Sequence, residues 1–202
     1  MSAPKITYFV DIVSPFAYIW FYMLQNSPTF AGCEITYVPI LLGGLMITCG
    51  NRPPLQVKIP SIEVFPKHFP FGTLSVQRAL CVISQKAPGK LAPVIGVLFH
   101  AAWVEGSTDI GKPDHFAPVI EGILGKQGTL EIMSAMNNPD AKALLAADTA
   151  RSFNLGAFGL LWFESARTLK ARPRASGVLI TWAKWLISRV WIAPSTKDLA
   201  AL

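Results

Sequence analysis

Ser14 stands between a β-rich hexapeptide and an aromatic run, and Pro15 follows it directly. Serine is a favoured helix N-cap, and proline a favoured first helical residue because its missing N–H would have had no partner there. A hydroxyl at that point faces unpaired backbone N–H groups and the positive end of a helix dipole, a setting that favours an anion. For a bound thiol, each unit by which its pKa falls is worth about 1.4 kcal/mol toward the thiolate. One hydroxyl hydrogen bond together with the helix terminus supplies about two such units. The dipeptide also reads as a plain helix cap, and the two readings are compatible.

A second polar candidate is Asn51, inside Gly50-Asn51-Arg52-Pro53-Pro54. Its ordinary reading is a turn residue ahead of a proline pair. His68, His100 and His115 have no metal-ligand spacing and no acidic pattern beside them, so they read as structural or surface residues and no metal is expected. Cys33, Cys49 and Cys81 are scattered without a Cys-x-x-Cys pair. That pattern argues for a reducing compartment and buried thiols, and against a zinc or dithiol centre.

The elements that must position these residues follow from the hydrophobic pattern. Residues 5–10 form a strand, 16–24 a helix and 34–40 a second strand, so the chain opens β-α-β and begins an α/β sheet. Glycines and prolines break the pattern over 41–70, which is expected to be irregular. Helical spacing returns over 73–87, 91–105, 113–124 and 139–153. Gly156-Ala157-Phe158-Gly159 ends the last helix, and 160–163 reads as a return to the sheet.

The chain has 202 residues, 51% of them apolar and 15% charged, which excludes disorder and suits one domain with a full core or a core carrying an insertion. No secretory signal or membrane span is expected. The net charge of +6 would raise nucleic acid or anionic membrane as partners. After residue 163, however, seven Lys and Arg face two acids, so the basicity belongs to the tail and no nucleic-acid partner is expected.

Three motifs occur in order: Asp11-x-x-Ser14-Pro15-Phe16 after the first strand, Gly50-Asn51-Arg52-Pro53-Pro54, and Gly156-Ala157-Phe158-Gly159-Leu160. With them the chain, over about residues 5–163, resembles the kappa-class glutathione transferases. Relatives of that family include 2-hydroxychromene-2-carboxylate isomerases and, more remotely, periplasmic thiol oxidases. The resemblance implies an α/β, DsbA-like thioredoxin fold over 1–163 with a helical insertion at about 60–138, followed by an atypical basic, Trp-rich tail over 164–202. It implies glutathione as co-substrate with no further cofactor, and conjugation or reduction of small electrophiles and peroxides.

In the family pattern the serine at Ser14 contacts the glutathione sulfur, while Pro15 and Phe16 help to bind the tripeptide. Asn51 holds it from the loop, and Leu160 pairs with its cysteinyl part through the backbone. A homodimer is implied, as is a mitochondrial or peroxisomal location, with the cytoplasm as alternative. Thiol oxidases of this fold carry Cys-Pro-x-Cys where this chain has Ser14-Pro15-Phe16-Ala17, so dithiol exchange through that motif is excluded. Glutathione-dependent isomerisation of the 2-hydroxychromene-2-carboxylate type is the alternative activity.

Three features depart from the family. Leu161 stands where members have a cis-proline after the residue at Leu160. A cis bond before a non-proline costs about 2.5–4 kcal/mol, so the trans form is expected there. Lys58 runs straight into Ile59-Pro60, where members have further residues including a basic helical turn. Finally, 178–193 mixes apolar residues, three tryptophans and bases, and taken alone would suit a membrane-surface helix or a partner groove, so a non-catalytic, truncated or frame-shifted product with such a binding tail is a further alternative. One choice of codons for 175–185, read one base earlier, gives Gly-Phe-Trp-Gly-Val-Asp-His-Leu-Gly-Gln-Val, which resembles the family's next strand and its acid-bearing turn. The tail is therefore read as frame-shifted, and the fold's last strand and helix as altered.

Overall fold

The first strand sets the layers. In the computed structural model, which describes residues 3–51, 68–160 and 162–166, β1 (Lys5–Val10) is rich in the β-branched and aromatic residues that fit a pleated surface. Successive side chains of a strand point to opposite faces. Tyr8 and Val10 accordingly enter the larger apolar cluster, while Phe9 enters a smaller one with Val38, Ile40, Leu45 and Ala157.

Helix α1 (Pro15–Asn26) crosses over from β1 to β2 (Glu34–Pro39), with a single 3-10 turn at Pro28–Phe30 on the way. β1 and β2 pair in parallel, Lys5 opposite Glu34 and Val10 opposite Pro39. β3 (Trp162–Ala166) adds to the other side of β1 antiparallel, Phe9 opposite Trp162, giving the order β2-β1-β3. Between β2 and β3 lie α2 (Leu42–Thr48), α3 (Leu74–Lys86), α4 (Pro88–Trp103), α5 (Pro113–Ala135) and α6 (Pro139–Asn154). Among the described residues no helix is long and apolar enough to cross a membrane.

The opening β-α-β unit agrees with the hydrophobic pattern, with α1 starting one residue earlier and ending two later than expected and β2 ending one residue earlier, and the larger differences have local causes. Helix α2 lies in a stretch expected to be irregular. The helix expected over 113–124 ends as expected at Gly125, whose φ 73° and ψ 167° are not helical, and a second helical segment, not expected, follows across this kink to the end of α5. β3 starts two residues later than expected and runs to Ala166. Of the three thiols, only Cys81 is buried; Cys33 and Cys49 are half-exposed.

Two contacts tie the ends of this framework. Arg151 of α6 pairs with Glu164 of β3 at 2.8 Å, and its guanidinium lies 5.5 Å from the centre of the Phe9 ring. A Cβ on Gly111 would collide with the carbonyl oxygen of Gly72, so only glycine allows the chain ahead of α5 to close on the chain ahead of α3. The chain divides into two units at Thr168, and only the first contains described residues. The expectations for Leu161, for the Lys58 junction and for the tail beyond Ala166 lie outside the described residues.

Candidate functional site

Ser14 is the N-cap of α1, with extended backbone angles (φ −91°, ψ 115°) and Pro15 behind it. Its Oγ accepts the Ala17 N–H at 3.2 Å, and its carbonyl accepts the Tyr18 N–H at 3.1 Å. The capping role is thus real, and it leaves the other role open. A hydroxyl has one proton and two lone pairs, so accepting from Ala17 still leaves the O–H free to donate. Pro15 has no N–H, and among the described residues the Phe16 N–H has no hydrogen-bond partner. Phe16 itself is exposed, whereas Ser14 is buried.

The turn before Ser14 is held from several sides. The Ser14 N–H donates to the Asp11 carbonyl at 3.1 Å, and the Trp103 indole donates to the Ile12 carbonyl at 2.9 Å. Behind the first turn of α1, the Tyr8 hydroxyl donates to the Ala17 carbonyl at 2.8 Å. Residues 11–14 are all buried.

Beneath this turn lies a carboxylate that the pattern of residue types had not assigned a role. Asp11 is fully buried. Its Oδ1 accepts the Val13 N–H at 3.2 Å and the Gln77 amide at 2.8 Å, and its Oδ2 accepts the Leu42 N–H at 2.8 Å. The nearby Thr73 hydroxyl also favours the charged form of this carboxylate. Burial raises the pKa of Asp11 above the ordinary carboxylate value, and these hydrogen bonds oppose the rise. Thr73 is the N-cap residue of α3 and makes no side-chain capping bond. A lone acid in the apolar run Val10-Asp11-Ile12 was the available signal; Gln77 and Thr73, more than 60 residues away, gave none.

The second and third sequence motifs meet in space. The Asn51 side-chain amide donates to the Phe158 carbonyl at 2.6 Å, and the Cys49 thiol contacts the same carbonyl at 3.5 Å. Both loops are helix exits of one kind. Gly50 (φ 67°) follows α2, with the Asn51 N–H returning to Met46. Gly156 (φ 94°) follows α6, with the Ala157 N–H returning to Ser152. Such 6→1 closures with a left-handed glycine satisfy the last carbonyls of a helix. Leu160 is half-buried and packs against both apolar clusters.

Ser14, Pro15 and Phe16 therefore share the start of α1, and Asn51 shares a loop pair with residues 156–160. Asp11 links the two places, because Leu42, to which it bonds, begins the helix that ends just before Asn51. His68, His100 and His115 are all exposed, and His100 faces Glu105 at 3.2 Å. Among the described residues no cluster of three His, Cys, Asp or Glu could hold a metal.

Comparison with known proteins identifies the fold and the family. The model of the DSBA-like thioredoxin domain matches residues 5–163. A Caenorhabditis elegans protein named glutathione S-transferase kappa 1 is 40% identical over 183 residues, covering 80% of this chain and 80% of its own. The Rattus norvegicus protein of the same name is 25% identical over 182 residues, covering 78% and 80%. Among solved structures, a 2-hydroxychromene-2-carboxylate isomerase superposes with a TM-score of 0.65 at 19% identity, over 94% of this chain and 100% of that one. With a thioredoxin-like domain spanning most of its length and a 40% identical relative covering four-fifths of it, the chain belongs to the DSBA-like thioredoxin family and, within it, to the kappa-class glutathione transferases.

Proposed function

We propose that this chain is a glutathione transferase in which the Ser14 hydroxyl and the first turn of α1 stabilise the thiolate of bound glutathione, which then attacks a small electrophile or a peroxide. The observation that carries this is the state of Ser14: its Oγ is already satisfied as an acceptor by Ala17, so its proton is available to an anion at the helix start. A thiolate there meets the helix dipole and the Phe16 N–H. In this reading Pro15 and Phe16 form the wall beside the sulfur, and Asn51 and the backbone of Leu160 hold the peptide portion.

Pairing of an extended peptide with exposed backbone beside a sheet is a common mode of peptide recognition. The reading also includes a homodimer, supported by the exposed Phe16, Ile19 and Tyr22 on one face of α1, and a mitochondrial or peroxisomal location.

The test is calorimetric titration of the full chain with glutathione, combined with the ultraviolet absorbance of the bound thiolate. Ser14→Ala should remove one hydrogen bond to the anion and raise the pKa of the bound thiol by about one unit, and, with the N-cap bond to Ala17 also lost, lower stability by about 1 kcal/mol. A wild-type chain that is folded and takes up no glutathione would overturn the assignment. Conjugation of an aryl halide measured beside isomerisation of a 2-hydroxychromene-2-carboxylate separates the transferase from the isomerase.

A further inference from the structure

We infer that Asp11 is the positioning residue of this site: its carboxylate locks the Ser14 turn and the start of α2 into one register, so that the hydroxyl and Asn51 meet the same tripeptide. The inference rests on the glutathione reading above. It starts from where the three donors come from. Val13 belongs to the turn before Ser14, Leu42 to the start of α2, and Gln77 to the first turns of α3. Three segments that are distant in sequence are thereby fixed to one pair of oxygens.

Only a carboxylate can do this. It accepts at both oxygens and donates at neither, as three converging donors require. An amide would turn its NH2 either against the Leu42 N–H or against both Val13 and Gln77, so one of the two ties must fail. Helix α2 depends on the first of these ties: its N-cap, Leu41, has no capping side chain, and the Asp11 Oδ2 satisfies the Leu42 N–H in its place.

The arrangement is costly for mere packing. A buried carboxylate is a weak source of stability, because desolvation offsets its hydrogen bonds. Gln77, moreover, is fully buried, and its Oε1 has no partner among the described residues. An orphaned buried acceptor typically costs about 1–3 kcal/mol, and here it accompanies an amide turned to serve Asp11. Two unfavourable features converge on one point directly beneath Ser14, where precise placement of a hydroxyl matters.

Calorimetry of the full chain with glutathione reports the dissociation constant and the bound fraction separately, and the thiolate absorbance gives the pKa of the bound thiol. Asp11→Asn is expected to weaken binding about tenfold or more and to raise the bound thiol's pKa by about one unit. Gln77→Met keeps both backbone ties and removes the orphaned oxygen. It is expected to weaken binding about threefold with no fall in melting temperature. A purely structural role would lower the bound fraction and leave the dissociation constant and thiol pKa of the folded molecules at wild-type values; that result overturns the inference, and Gln77→Met delivers it even if Asp11→Asn does not fold. Wild-type protein that takes up no glutathione removes the glutathione reading and this one together, whereas wild-type binding with unaltered variants removes this one alone.

Discussion

The two ends of the candidate site are built differently. At the start of α1 every residue from Asp11 to Ser14 is buried, and the turn is tied by Asp11, Trp103 and its own backbone. At the other end Asn51 is exposed, Phe158 is 60% exposed, and the two loops meet through side chains of Asn51 and Cys49 on a single carbonyl. The difference follows from what each end must do. A hydroxyl that stabilises a thiolate has to sit within hydrogen-bond reach of one atom, so small displacements are expensive. Holding a peptide spreads the work over several backbone contacts and tolerates movement.

The largest effect should come from undermining the rigid end from behind. Phe99 of α4 is fully buried and meets the rings of Tyr18 and Phe21 on α1, with centroids 5.5 Å and 5.6 Å away. Phe99→Ala should lower stability by about 3–5 kcal/mol, read from the urea midpoint. A loss below about 1 kcal/mol would mean that α1 is not held by this layer, and the contrast between the two ends would collapse.

The thiols allow a gentler comparison. Cys81 is buried on α3, where burial pushes its pKa up to about 12 and the nearby Asp148 charge adds to the rise. Cys49 is half-exposed beside Asn51. Under native conditions at mild alkaline pH, iodoacetamide should modify Cys49 at least about a hundredfold faster than Cys81, as followed by mass spectrometry, because the thiolate is the reacting species and must be reachable. Equal rates would show that the interior around α3 opens as readily as the loop.

How much of this was legible depended on how local the cause was. β1 follows from a six-residue pattern, and its bounds are those expected from the sequence; α1 follows from Ser14-Pro15 and an apolar repeat at Ala17, Phe21 and Leu24. Helix α2 could not be read this way. Its Gly43 and Gly44 each disfavour a helix by about 1 kcal/mol, and what fixes it comes from elsewhere: Asp11 at Leu42, the Thr149 hydroxyl at the Leu41 N–H, and burial of Leu45. The second half of α5 was hidden by Gly125, a sound breaker signal after which the chain turns and resumes its helix. In the site, Ser14 and Asn51 carried motif signals, while the role of Asp11 arises from partners 31 and 66 residues away.

The smallest change in stability is expected at the exposed end, and there it is the informative one. Asn51→Ala removes the amide donated to the Phe158 carbonyl at 2.6 Å, but that carbonyl is open to water, so the fold should lose no more than about 0.5 kcal/mol. Glutathione affinity should nonetheless fall about five- to tenfold, since the same amide orients the loop pair around the peptide. Asn51→Asp sharpens the point: a carboxylate cannot donate to Phe158 and repels its oxygen, so affinity should fall further than in the alanine variant while the melting temperature stays close to it. If both variants bind glutathione as the wild type does, the recognition contacts lie elsewhere, and the meeting of the second and third motifs serves only to close two helix ends.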